Sequence, residues 1–232
     1  MLQLIRHTDT SEGLRLAIAL LHFARIRFIQ NLLPELQAAK SLRRVVSVFA
    51  GTKEGAFNVD DLNGDKIPLT KARGHAASMV TIGMQVLARR APDVSFIHDF
   101  PGPVKSGISR DMPGLAGLGM RVLIKFIGPI FNIPTDESGE YHLFFATSAR
   151  YTPQSGTLST SGVPFDGTVS PARGADGQIG SGMYSIDEKG ESASSAVEQL
   201  LAGMRKDGIS ERLWKHTESE WQRITGSVEA SF

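Results

Sequence analysis

Arg44-Val45-Val46-Ser47-Val48-Phe49-Ala50-Gly51 is the stretch that decides the fold class of this chain. A short β-branched run closed by two small residues reads as a buried strand, of the kind found in parallel sheets covered on both faces. Upstream, apolar residues recur at Leu14, Ile18, Leu21, Ala24, Phe28 and Leu32, so residues 9–33 read as a helix. Asp9 and Glu12 have capping-box spacing at its start, and Pro34 is expected at its end. Downstream come a polar loop over 51–69 with an Asn63-Gly64 turn, a helix over 71–90, and a second strand, Val94-Ser95-Phe96-Ile97-His98. Residues 135–149 read as a third main helix with Thr135 as N-cap. Residues 151–182 read mostly as loop, Met183 to Ile186 as a third strand, and 194–206 and 211–223 as polar helices.

Helix–strand alternation of this kind argues for an α/β fold with a parallel sheet. Such sheets take their ligands at the C-terminal ends of the strands. Ala50, Asp99 and the loop at 101–106 fall there.

A length of 232 residues favours a single domain, with 107–134 as a lid-like insertion and 224–232 as a tail. The net charge of +1 and the lack of a long basic block give no reason to expect nucleic acid. The absence of cysteine excludes disulfides, thiolate metal sites and a cysteine nucleophile, and fits a cytoplasmic protein. No apolar run is long and uninterrupted enough to read as a transmembrane span. The nearest, Pro113 to Pro134, is broken by Arg121, Lys125 and Pro129.

The order of these pieces resembles a short-chain dehydrogenase/reductase from its fourth helix onward, over about residues 9–225. Leu32-Leu33-Pro34-Glu35-Leu36 precedes the strand Arg44 to Val48, which runs into Ala50-Gly51. His75-Ala76-Ala77-Ser78-Met79 stands where the family has Tyr-x-x-Ser-Lys, and Pro101-Gly102-Pro103-Val104-Lys105-Ser106 matches its Pro-Gly-x-Val-x-Thr/Ser loop. Phe28 to Pro34, Val46 to Gly55 and Ser138 to Tyr151 are similar to a fungal branch often found near secondary-metabolite genes.

The resemblance implies a Rossmann-like three-layer parallel sheet lacking the first βα units, a small-molecule substrate, NADP or NAD as cofactor, and dimers formed through the helices at 9–33 and 71–90. It gives Pro101, Gly102, Val104 and Ser106 contacts to the nicotinamide and pyrophosphate. Two departures accompany it. About three βα units, ~90 residues with the glycine-rich phosphate turn, are expected to be missing before residue 9. Gly114–Gly119 and Gly177–Gly182 have glycine-rich spacing but read as loops.

The second departure is chemical. Ala50 takes the position of the family's serine, His75 that of its tyrosine and Met79 that of its lysine. His75 is then the candidate acid/base and Ser78, one turn on, a candidate ligand contact; both can equally be structural. Ser47 reads as a locally bonded strand serine. Asp99 reads as a solvated strand-end carboxylate, or alternatively as one that orients a histidine. Three functions remain open: an NAD(P)-dependent oxidoreductase; a non-redox cyclase, isomerase or dehydratase using His75; and a catalytically inactive binding or structural protein. A sheet lacking its first strands exposes an edge, so a homo-oligomer or a partner chain is expected.

Overall fold

The computed structural model describes residues 8–104, 132–164 and 170–229. The elements in chain order are α1 (Leu16–Ala38), β1 (Arg44–Val48), α2 (Leu69–Arg90), β2 (Ser95–Asp99), α3 (Thr135–Thr147), α4 (Leu158–Ser161), β3 (Met183–Ile186), α5 (Ser195–Lys206) and α6 (Ile209–Thr225). The strands form a parallel sheet in the order β1-β2-β3, with Val46 opposite Ile97 and Ile97 opposite Tyr184. The α/β class read from the sequence is the fold observed.

Strand alternation divides the core in two. Phe96 and Met183 face a layer of α1, α2, α5 and α6, whereas Ile97, Tyr184 and Ile186 face Phe145 of α3, Tyr151 and Ala172. β2 is buried throughout and so is β3, whose outer edge is covered by backbone bonds from Ala175 and Ala193. β1 is only partly buried, with Val48 43% exposed.

Helix α1 departs from its sequence reading at both ends. Asp9 forms a bridge with Arg15 rather than a capping box, and the helix starts without a side-chain cap. Pro34 lies inside the helix, which continues to Ala38. Pro34 has no N–H to donate to the Gln30 carbonyl, so one helical bond is missing there. Residues Ala19–Phe23 are π-helical. This segment places His22 in the core, where its Nε2 meets Thr217 Oγ1 at 2.9 Å. Gly83 of α2 permits the approach, since a Cβ there would lie 2.9 Å from Ile26 Cδ1 and 3.1 Å from His22 Cε1.

By length and hydropathy α1 is long and apolar enough to cross a membrane, which the sequence reading did not single out. Its buried His22, Phe23, Ile26 and Ile29 nonetheless belong to the protein core, as in a core-packing helix. Thr135 is the first residue of α3, and Pro134 takes the cap position. The expected tail is held as far as Val228: Arg27 Nη1 donates to the carbonyls of Ser227 and Val228. Most of the expected lid, 107–131, lies outside the described residues.

Arg44 fastens the second layer to the sheet. Its Nη1 donates to the carbonyls of Phe145 (3.0 Å) and Ser148 (2.8 Å), and its Nη2 to those of Tyr151 (2.6 Å) and Ser161 (2.8 Å). Burial pushes its pKa down to about 10, so the guanidinium stays charged at neutral pH. The planar fork reaches all four carbonyls, which an ammonium cannot do. Arg44→Met should cost roughly 3 kcal/mol or more, because several buried acceptors lose their donor together. Urea unfolding checks this, and Arg44→Lys should recover only part of the loss.

Candidate functional site

The C-terminal ends of the strands meet in one buried hydrogen-bond network centred on Glu54. The turn after β1 folds back under the sheet, where Gly51 is obligatory: a Cβ would lie 2.1 Å from the His98 carbonyl oxygen and 2.6 Å from that of Ile186. The same turn places Thr52 in the left-handed region at φ 63°. Ala50 N–H donates to His98 Nε2 (3.1 Å), which requires the other ring nitrogen to carry the proton in the neutral imidazole. His98 Nδ1–H then donates to Thr81 Oγ1 (2.8 Å), and Thr81 donates to Glu54 Oε1 (2.6 Å). Ser185 of β3 donates to the same oxygen (2.6 Å) while accepting from Thr52 N–H (2.7 Å).

Burial, and after it the charge of Arg25, holds His98 down to about pKa 3. Burial raises the Glu54 carboxyl above its usual range, opposed by the Ser185 and Thr81 hydroxyls. Glu54 Oε2 is buried without a partner.

His75 and Ser78 lie one turn apart on α2, as expected, and both bind the 55–58 loop. Ser78 Oγ donates to Gly55 O (2.8 Å) and accepts from Gly55 N–H (3.1 Å). His75 is buried, stacks on Phe57 (centroids 4.9 Å apart, planes at 12°) and accepts from Asn58 N–H at 3.5 Å. Burial lowers its pKa, with the Asp61 carboxylate opposing. A hydrogen bond to the Leu62 backbone opposes the shift as well. Met79 is enclosed in the core, where a lysine would leave a charge among hydrocarbon.

Asp99 corrects the solvated reading: it is fully buried, and its Oδ2 lies 3.1 Å from His142 Nε2. His142 comes from α3, and its Nδ1 lies 2.6 Å from the Ser138 carbonyl. With both nitrogens engaged, the ring clamps α3 to the end of β2. Burial raises the Asp99 carboxyl to about 6, opposed mainly by His142. Ser47 accepts from Arg25 Nη1 at 2.6 Å, in keeping with its structural reading.

Beyond Asp99 the chain turns through Gly102 (φ +70°), where a Cβ would lie 2.6 Å from Ile133 Cδ1. Pro101 and Gly102 are half-buried, Val104 N–H donates to Gly102 O (3.0 Å), and Val104 bridges to Ile133. Lys53 and Arg73 approach the Phe100 ring, at 4.9 and 6.0 Å from its centroid, so the turn after β1 also reaches this loop. Ser106 lies outside the described residues.

The described residues do not by themselves fit a dinucleotide. The turn after β1 has its Ala50 and Thr52 N–H groups engaged by His98 and Ser185, so it offers no anion-binding nest. The Pro101–Val104 loop contributes two prolines without N–H groups. Among the described residues no three His, Asp or Glu side chains converge as metal ligands.

No protein-family model matches the chain. Similarity to curated fungal proteins is extensive, however. Oxidoreductase AN1596 of Emericella nidulans is 39% identical over 215 residues, covering 91% of this chain and 62% of that protein. Oxidoreductase andH of Emericella variicolor is 34% identical over 233 residues, 97% of this chain and 66% of that protein. Short-chain dehydrogenase/reductase SAT2 of Stachybotrys chartarum is 28% identical over 222 residues, 90% and 58% respectively. These similarities support a relationship to short-chain dehydrogenase/reductase-like oxidoreductases. The chain spans about three-fifths to two-thirds of the length of these relatives.

Sequence reading missed Glu54, Thr81, His98, Ser185 and His142. One signal was present: polar His98 and Asp99 end a strand whose other residues are largely apolar. Asp99 also generates a pH prediction. Its pKa rises from about 3.9 unfolded to about 6 folded, so its protonated form is favoured in the fold. The resulting stability is full below pH ~4 and is lost as pH rises through about 6. Measured by urea unfolding, wild type should therefore lose stability relative to Asp99→Asn between pH 4 and 7. A difference independent of pH would contradict the assignment.

Proposed function

We propose that this chain is an oxidoreductase-type protein of the short-chain dehydrogenase/reductase kind, tailoring a small molecule in fungal secondary metabolism. NADP or NAD is its cofactor class in this reading, and the cytoplasm its location. The observation that carries it is 39% identity over 215 residues to the Emericella nidulans oxidoreductase. The parallel sheet agrees with it, because the Pro101–Val104 loop leaves β2 at the end where such sheets take ligands. In this reading the Pro101, Gly102 and Val104 backbone is assigned to the nicotinamide and the Ser106 hydroxyl to the pyrophosphate. Fluorescence titration with NADPH and NADH tests the reading: saturable binding below about 1 mM is expected, and none up to several millimolar overturns it.

A second reading is favoured by the residues at Ala50, His75 and Met79, which lack the hydroxyls and cation that carry reductive chemistry in the family. It assigns non-redox acid–base chemistry, as in a cyclase, isomerase or dehydratase, to His75, the titratable group at the position of the family's tyrosine. Conversion that needs no added NADPH and is abolished in His75→Ala supports it. Conversion unchanged by that substitution removes His75 from the role.

A further inference from the structure

Lys53 and Arg73 share the Phe100 ring at the C-terminal ends of the strands, and we propose that this cation pair binds the carboxylate of an organic-acid substrate. The inference deepens the reading of this end of the sheet as a small-molecule site, and it rests on that reading. Three segments bring the pair together: Lys53 lies in the turn after β1, Arg73 in the second turn of α2 and Phe100 directly after β2. A glycine contact joins the first two. Gly55 N–H donates to Gly74 O (3.0 Å), and a Cβ on Gly74 would lie 2.9 Å from Gly55 Cα. Ser78, one turn on, holds both backbone groups of Gly55. With turn and helix in backbone contact, the cations that flank it arrive on one ring. Lys53 Nζ lies 4.9 Å from the Phe100 centroid and Arg73 Cζ 6.0 Å.

The carboxylates next to these residues in sequence are committed elsewhere. Glu54, beside Lys53, is buried and accepts the Thr81 and Ser185 hydroxyls. Asp99, beside Phe100, is buried on His142. Among the described residues neither Lys53 nor Arg73 forms an ion pair. The start of α2 adds to the positive potential rather than offsetting it. Its first turn holds no acidic residue and carries Lys71, where the helix dipole favours acidic side chains. Two like charges placed on one ring at a positive helix end repel each other until an anion joins them.

The surroundings indicate what kind of anion fits. The Ala50 and Thr52 N–H groups are turned inward, so recognition of an anion at this turn falls to side chains rather than to backbone donors. A guanidinium fork takes a carboxylate through two parallel hydrogen bonds, and an ammonium adds a point charge beside it. Phe100 is half-buried and supplies an apolar surface next to the charges. A carboxylate on an apolar body meets both requirements, and the neutral alcohol of the same shape meets only one.

Titration calorimetry with 2-naphthoate and with the neutral 2-naphthalenemethanol tests the proposal, on wild type, Lys53→Met and Arg73→Met, with thermal melts and NADPH titrations alongside. Wild type should bind naphthoate with a Kd of about 1 mM or below, and the alcohol about tenfold more weakly. Each variant should lose about tenfold in naphthoate affinity, the worth of one charge-assisted hydrogen bond. The Tm of each variant should be unchanged or raised, because one of two repelling charges is gone. Equal binding of naphthoate and the alcohol overturns the proposal, as does no naphthoate binding up to several millimolar. Variants that lower Tm but keep naphthoate affinity overturn it in favour of a packing role for the cations on Phe100. Variants that keep naphthoate but lose NADPH overturn it in favour of the cofactor's phosphates. Charge-dependent naphthoate binding by a wild type that ignores NADPH upholds the carboxylate site and removes the cofactor reading alone.

Discussion

The Glu54 carboxylate is the constraint on which the working end of the sheet depends. Its Oε1 accepts hydroxyls from α2 and β3, and through Thr81 it sets the tautomer of His98 on β2, which in turn receives the Ala50 amide after β1. Every strand end is therefore tied to one buried oxygen. Oε1 is satisfied twice while Oε2 stays buried without a partner, so losing either hydroxyl would add to a cost already present, because a buried polar group left unpaired costs more than the bond it replaces gains. The network also determines what the turn after β1 can do. Donors that would otherwise point toward an anionic ligand are turned inward.

The remainder of the architecture follows from covering a short sheet on two faces. Arg44 gathers the carbonyls of Phe145, Ser148, Tyr151 and Ser161 and so fixes α3 and the chain after it against one face. On the other face α1 and α2 approach closely at Gly83, and the two tryptophans of α6 close over them. The Asp99–His142 pair joins the α3 layer to the strand end where Arg44 cannot reach. Among the described residues the outer edge of β1 pairs with no other strand.

The scaffold was legible in the sequence because it rests on local patterns. The β-branched run Arg44–Val48, the apolar period of α1 and the Met183–Ile186 strand are each recognisable from neighbouring residues alone. The ends of α1 were misjudged because Pro34 and Asp9 have strong local preferences that tertiary packing overrode. Most of the site was not legible. Glu54, Thr81, His98 and Ser185 are far apart in sequence and meet only through the parallel register, which no local pattern encodes. His75 and Ser78 were found because of the family motif, yet their contacts with Phe57 and Gly55 are those of loop anchors.

The central claim is that the strand ends are bound inward around Glu54, with His98 neutral and protonated on Nδ1. Long-range proton–nitrogen NMR of the histidine rings across pH 4 to 8 tests it most directly, because each nitrogen's shift reports its own protonation. The account predicts a His98 that keeps the Nδ1–H tautomer over the whole range, consistent with a pKa held near 3. A His98 that titrates near 6.5, or that carries its proton on Nε2, would contradict it.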